Sequence, residues 1–173
     1  MGSLVNFPSF IDNKIIPPKI KAYEVNENST GTKYAATKDM DIKDIAKLIR
    51  ADIKASIKAG QIPDGKYAVK ISRYSMGQSL DVSISDVDIQ IYNVEKIYAE
   101  DRRENTDGLY IYSEEGRAIL SAVQGIIDSY NFDKSKMIED YHHQKFYGHV
   151  TYDSCFTNYK REAVIAEMRK AKE

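Results

Sequence analysis

Three imidazoles and a carboxylate lie close together in the last quarter of the chain: Asp140, His142, His143 and His149. Nitrogen and carboxylate donors suit zinc or another transition metal. Asp140, His142 and His149 are therefore the candidate ligands of a metal-assisted enzyme or small-ligand binder. Adjacent His142 and His143 point different ways on an extended chain, so at most one joins a given site easily. A general acid–base role for His149 with Asp140 or Asp133 lacks an accompanying nucleophile or oxyanion device. Cys155 is the single cysteine, which excludes an internal disulfide framework and a multi-thiolate zinc site, and no activating pattern surrounds it. There is no phosphate-binding Gly-x-x-x-x-Gly-Lys, no dinucleotide fingerprint and no nucleophile elbow. These observations weigh against an enzyme and imply no cofactor.

Charge is distributed unevenly. Across 173 residues the net charge is −1, but residues 1–73 carry a net +5, residues 74–157 a net −8 and residues 158–173 a net +2. Such asymmetry matters for steering a partner, unless folding interleaves the segments. Lys43, Lys47, Arg50, Lys54 and Lys58 recur at helical spacing. With Arg73 they form a candidate nucleic-acid-binding set, the plain alternative being a solvated face with snorkelling lysines. The basic tail at Arg169, Lys170 and Lys172 would add to it. The bend from Arg73 to Ser79 holds a guanidinium, hydroxyls and Gly77, which suits either a phosphate or simply a tight turn. The acidic middle interleaves carboxylates with tyrosines, the chain's dominant aromatic residue. Asp86, Asp88, Tyr92, Glu95, Tyr98, Glu100 and Asp101 are the candidate partner-binding surface, on which carboxylates could occupy a nucleic-acid groove of another protein.

The elements that must position these groups follow from periodicity. Ile42, Ile45, Ala46, Ile49, Ile53 and Ile57 predict a helix from Asp41 to Ala59, capped by Asp41 and ended by Gly60. Alternation predicts strands at 67–73 and 79–85 joined as a hairpin. Residues 87–99 fit either a strand (Val87, Ile89, Ile91) or a short helix (Val94, Ile97, Tyr98). Ser113 caps a second helix over 114–130, a strand follows at 145–152, and a last helix runs over 159–172. The expected fold is α+β: an antiparallel sheet of about three to five strands, two main helices on one face, and a C-terminal helix. Residues 1–32, with Pro8, Pro17 and Pro18, read as an extended arm. Residues 33–156 read as one domain with an acidic insertion at 86–107, completed by the helix at 157–173. No apolar run approaches the ~20 residues of a membrane span and no signal-peptide core is visible, so a cytoplasmic protein with no membrane partner is expected.

Several motifs occur in order: Asp44-Ile45-Ala46-Lys47-Leu48-Ile49-Arg50, then Tyr74-Ser75-Met76-Gly77-Gln78-Ser79-Leu80-Asp81-Val82-Ser83, then Tyr130-Asn131-Phe132-Asp133, Asp140-Tyr141 and Phe146-Tyr147-Gly148-His149-Val150. Together they resemble a small α+β domain associated with the large polyvalent proteins of phages and conjugative elements, over roughly residues 38–153. The family pattern departs at Ile84-Ser85-Asp86-Val87 and at the acidic insertion. The resemblance implies a setting rather than a reaction: a non-enzymatic accessory protein of a mobile element that binds a host or mobile-element protein, for counter-defence of the anti-restriction or anti-CRISPR kind. Nucleic-acid binding through the basic stripe is the alternative.

Overall fold

A computed structural model describes residues 29–75, 77–105, 108–134 and 144–171. The arm before Ser29, Asp107, Asp140, His142, His143 and Lys172 lie outside the described residues.

The chain enters as a short strand, β1 (Ser29–Thr30), followed by the single helical turn α1 (Tyr34–Thr37). The first long helix, α2 (Ile42–Lys58), forms where the isoleucine period requires it. The Asp41 carboxylate accepts a hydrogen bond from the Lys43 amide. At the other end Gly60 takes φ +69°, its amide donates to the Ile57 carbonyl, and the Gln61 amide donates to the Ser56 carbonyl. That paired closure needs a left-handed residue, which glycine supplies without steric cost. Ile42, Ile45, Ala46, Ile49 and Ile53 are buried, so one stripe faces the core and the lysines are left outside.

Strands β2 (Lys66–Tyr74) and β3 (Gly77–Ser85) form the expected hairpin, with Tyr74 opposite Gly77 and Lys66 opposite Ser85. Leu80, Val82 and Ile84 of β3 are buried, and the intervening residues point to the other face. Asp86 then takes φ +59°, a conformation that asparagine and aspartate tolerate better than most side chains, and turns the chain off the sheet. For this reason the Val87, Ile89, Ile91 alternation does not continue as a strand. Val87 and Ile91 are buried as core residues of a loop, and the helix of this region is α3 (Val94–Asp101).

Helix α4 (Glu114–Asp128) starts at Ser113, whose Oγ accepts from the Gly116 amide at 2.9 Å and donates to the Gln90 carbonyl at 2.7 Å. The chain continues through β4 (Phe132–Asp133), which pairs with β1, and β5 (Tyr147–Tyr152), and ends in α5 (Ser154–Lys170). Helix α5 begins earlier than its apolar pattern suggests, because Asp153 caps the amides of Cys155 and Phe156.

The fold is α+β, with a C-terminal helix. The main sheet has strand order β2-β3-β5, and its third strand corrects the antiparallel expectation: β5 runs parallel to β3. The reason is the long connection through α3 and α4, which returns the chain to the end of the sheet from which β3 set out. Helices α2 and α4 pack against each other, α2 on β2 and α4 on β5, with Ile119, Val123 and Ile127 buried between. Helix α5 packs on α3 instead, where Arg161 donates to Glu100 at 2.9 Å. No helix of the described residues is long and apolar enough to cross a membrane.

Candidate nucleic-acid interface

Arg50 settles where the basic stripe lies. Its guanidinium leaves the exposed flank of α2 and donates at 2.7 Å to the backbone carbonyl of Val69 on β2. Strand β2 is an edge of the sheet, so this bond seats that flank of the helix along the edge. Lys43, Lys47 and Lys54 are seven and three residues before Arg50 and four after it. Helical geometry puts them on the same stripe, over about 16 Å from Lys43 to Lys54. Lys58 continues it.

The strand contributes cations of its own. Tyr67, Val69 and Ile71 face the core, so Lys66 and Lys70 stand on the opposite face of β2 and are exposed. Together the two elements make a ridge that is basic on both flanks of the edge. Arg73 is already engaged: it pairs with Asp41, locking the end of the hairpin to the helix cap. The Lys43 amide, followed by the Arg73 guanidinium, holds the Asp41 carboxyl below its usual range. Lys47 pairs with Asp44 at 2.8 Å. Among the described residues, Lys43, Lys54, Lys58, Lys66 and Lys70 have no acidic partner within ion-pair distance. Those five are the ones able to meet an external anion without first breaking a bridge.

The second feature is the face of the sheet turned away from α2 and α4. Its rows follow from the register: Ser72, Ser79 and Tyr147 across one line, then Lys70, Asp81 and His149, then Ala68, Ser83 and Thr151. The first turns of α5 border the Lys66 end of this face. At one end the rings of Tyr74 and Tyr147 lie 6.3 Å apart, and a Cβ on Gly77 would sit within 3.4 Å of both. Glycine there gives the rings their room. Desolvation, then the neighbouring Tyr147 and the Asp81 charge, push the Tyr74 hydroxyl above its ordinary value. At the other end, a groove of about 420 Å³ opens between the sheet and the start of α5, lined by Lys66, Ser83 and Ser85, by the acidic residues Asp86 and Asp153, and by Phe156 and Tyr159.

The acidic surface comes out differently from its reading in sequence. Tyr92 is only 6% exposed, bridged to Tyr112 and stacked on it at 5.7 Å, so it belongs to the core and offers nothing to a partner. Tyr98 is partly buried against the same core. Glu100 is held between Arg161 at 2.9 Å and Lys96 at 3.6 Å. The carboxylates left exposed are Asp86 and Asp88 after β3, and Glu95 and Asp101 on α3. The candidate metal set is represented only by His149, exposed on β5 opposite Asp81, since Asp140 and His142 lie outside the described residues. No group of three potential ligands gathers among the described residues. Cys155 is exposed on the rim of the groove.

Reasoning from sequence singled out neither Lys66 and Lys70 as part of the basic set nor the ring pair of Tyr74 and Tyr147. The alternation of β2 carried the signal for the lysines. The ring pair depends on β5 lying parallel beside β3, which no local pattern encodes. Comparison with family models, curated proteins and solved structures finds no match.

Proposed function

We propose that this protein binds nucleic acid, with the phosphates laid along the ridge formed by α2 and β2. One observation carries the reading: the Arg50 bond to the Val69 carbonyl fixes the lysine stripe of α2 against the strand edge that bears Lys66 and Lys70. Two rows of cations around one edge suit a polyanion, whose charges repeat along a line, better than a compact ligand. The span of about 16 Å corresponds to roughly five phosphates of one strand at ~3.4 Å each. The setting suggested by the resemblance, a protein carried with mobile DNA, is compatible with this activity. It equally accommodates an accessory protein that docks on a host factor, for which the exposed set Asp86, Asp88, Glu95 and Asp101 is the surface to consider.

Within the span that ends at Lys54, one turn before Lys58, four unpaired lysines (Lys43, Lys54, Lys66 and Lys70) contacting four phosphates of a duplex give a salt slope near −3.6, or about 150-fold weaker binding on going from ~50 to ~200 mM salt. Replacing Lys43 and Lys54 by alanine halves the slope, and the loss over the same interval falls to about 12-fold. Polarisation titration of a labelled 20-base-pair duplex reads both. Absence of a complex at the lower salt, or a slope that the double substitution leaves unchanged, refutes the proposal.

A further inference from the structure

The open face of the sheet has a composition that the ridge does not explain. Between its two ends it carries Ser72, Ser79, Ser83, Thr151, Lys70, Asp81 and His149, with Ala68 as the one aliphatic residue. A protein-docking surface is built around a desolvated apolar or aromatic centre with charge kept to the rim. Here the order is reversed: the centre is hydroxylic and charged, and the aromatic rings stand at the ends. Tyr74 is 49% exposed at one end and Tyr159 is 70% exposed at the other, with about 26 Å of strand between Lys66 and Tyr74. Both rings are too open to be contributing to the core.

From this arrangement we infer that the open face is a stacking platform for single-stranded nucleic acid: bases lie over β3 and β5 against Tyr74, Tyr147 and Tyr159, and the backbone follows Lys66 and Lys70 on β2. The inference rests on the ridge reading and specifies its ligand. A duplex keeps its bases stacked on one another and presents no ring face to an exposed tyrosine, whereas an unpaired strand presents one at every base. Charge fixes the orientation of the strand. Lys66 and Lys70 are unpaired and stand next to the basic flank of α2, while Asp81 sits at the centre of the sheet, accepts a hydrogen bond from Ser79 Oγ at 3.0 Å and repels phosphate. The sugar–phosphate line therefore runs on the β2 side. Asp81, His149 and the hydroxyls meet base edges, where donors and acceptors are complementary to them. At the far end, the groove of about 420 Å³ beside Tyr159 and Phe156 lies within the ~300–1,000 Å³ range of small-ligand pockets and receives the terminal base.

The test titrates the full chain against a labelled ten-residue oligodeoxycytidylate and, separately, against the 20-base-pair duplex, both at low salt. Tyr74→Ala and Tyr159→Ala should each weaken the single strand by about 5- to 150-fold while leaving the duplex within about twofold, and Tyr74→Phe and Tyr159→Phe should restore single-strand binding. Both tyrosines are exposed, and circular dichroism verifies that the alanine variants keep their fold. Single-strand affinity unmoved by either alanine substitution overturns the platform and leaves the ridge standing. So does an equal loss for single strand and duplex. Displacement of the oligonucleotide by an equimolar acidic decapeptide overturns it in favour of a docking surface for protein. Absence of single-strand binding overturns the platform, and absence of duplex binding is the separate result on which the ridge reading itself fails.

Discussion

Gly148 offers the sharpest test of how the sheet is seated. A Cβ built on it would lie 2.6 Å from Cγ2 of Ile127 on α4, well inside the distance at which two carbons can rest. Ile127 is fully buried, so its methyl group has no space to move into. Replacing Gly148 by alanine therefore forces β5 and α4 apart. Overpacking of this kind costs ~1–3 kcal/mol, offset by ~0.5–1 kcal/mol because alanine loses less backbone entropy in a strand than glycine. The net expectation is a loss centred near ~1 kcal/mol and reaching at most ~2.5 kcal/mol, read by urea denaturation as a lower midpoint at constant m-value. The offending atom is the β-branch methyl, and Ile127→Leu moves it away at under ~1.5 kcal/mol on its own. The double variant should consequently recover about 1 kcal/mol relative to the sum of the single losses. Strict additivity, or a Gly148→Ala protein as stable as the parent, would show that α4 does not rest on β5 as described.

Two further expectations concern a phenol and a helix cap. Burial, followed by the charge of Asp64, pushes the Tyr67 hydroxyl up to about 12, and it donates to the Pro63 carbonyl at 2.8 Å. A folded value raised above the unfolded one (near 10) means that its contribution is complete below about pH 10 and is lost as pH rises toward 12. Tyr67→Phe should flatten the alkaline fall in Tm over that interval, and an unchanged fall would contradict the assignment. Ser113→Ala removes both the cap on the Gly116 amide and the bond to the Gln90 carbonyl, and should cost about 1–2 kcal/mol in the same urea assay. A change below a few tenths would mean that the start of α4 is held by something else.

What the sequence made legible was what neighbouring residues decide among themselves. Helix α2 is an isoleucine stripe with a carboxylate before it and a glycine after it, and all three signals act within a few positions of one another. The hairpin follows from two alternating runs and a short bend. The parallel setting of β5 depends on a crossover of some sixty residues, and no alternation inside β5 records it. Tyr92 shows the same limit at the level of a single residue. In the sequence it lies among carboxylates and reads as surface, and it is the stacking of its ring on Tyr112, twenty residues away, that makes it core. The candidate site divides along the same line. The period of the lysines could be read directly, but the strand edge they flank is identified only by a bond from Arg50 to a residue nineteen positions on.

The two edges of the sheet narrow how any partner can approach. An exposed edge strand ordinarily invites another strand to pair with it, and proteins suppress this by charging or covering the edge. On β2 the Val69 carbonyl is taken by Arg50, and lysines flank the strand. On β5 the Gly148 carbonyl accepts from Gln124 of α4 at 3.3 Å. Each helix thus reaches around from the covered face to occupy a backbone acceptor that an incoming strand would need. Addition of a peptide strand at either edge would first have to break one of these bonds, and at β2 would also crowd the lysine stripe. A ligand that lies across the sheet, with its charges along β2, breaks neither bond. The helices that close the edges are the same ones that bury the other face, so an approach over the open face and the basic ridge beside it is the one that leaves both bonds intact.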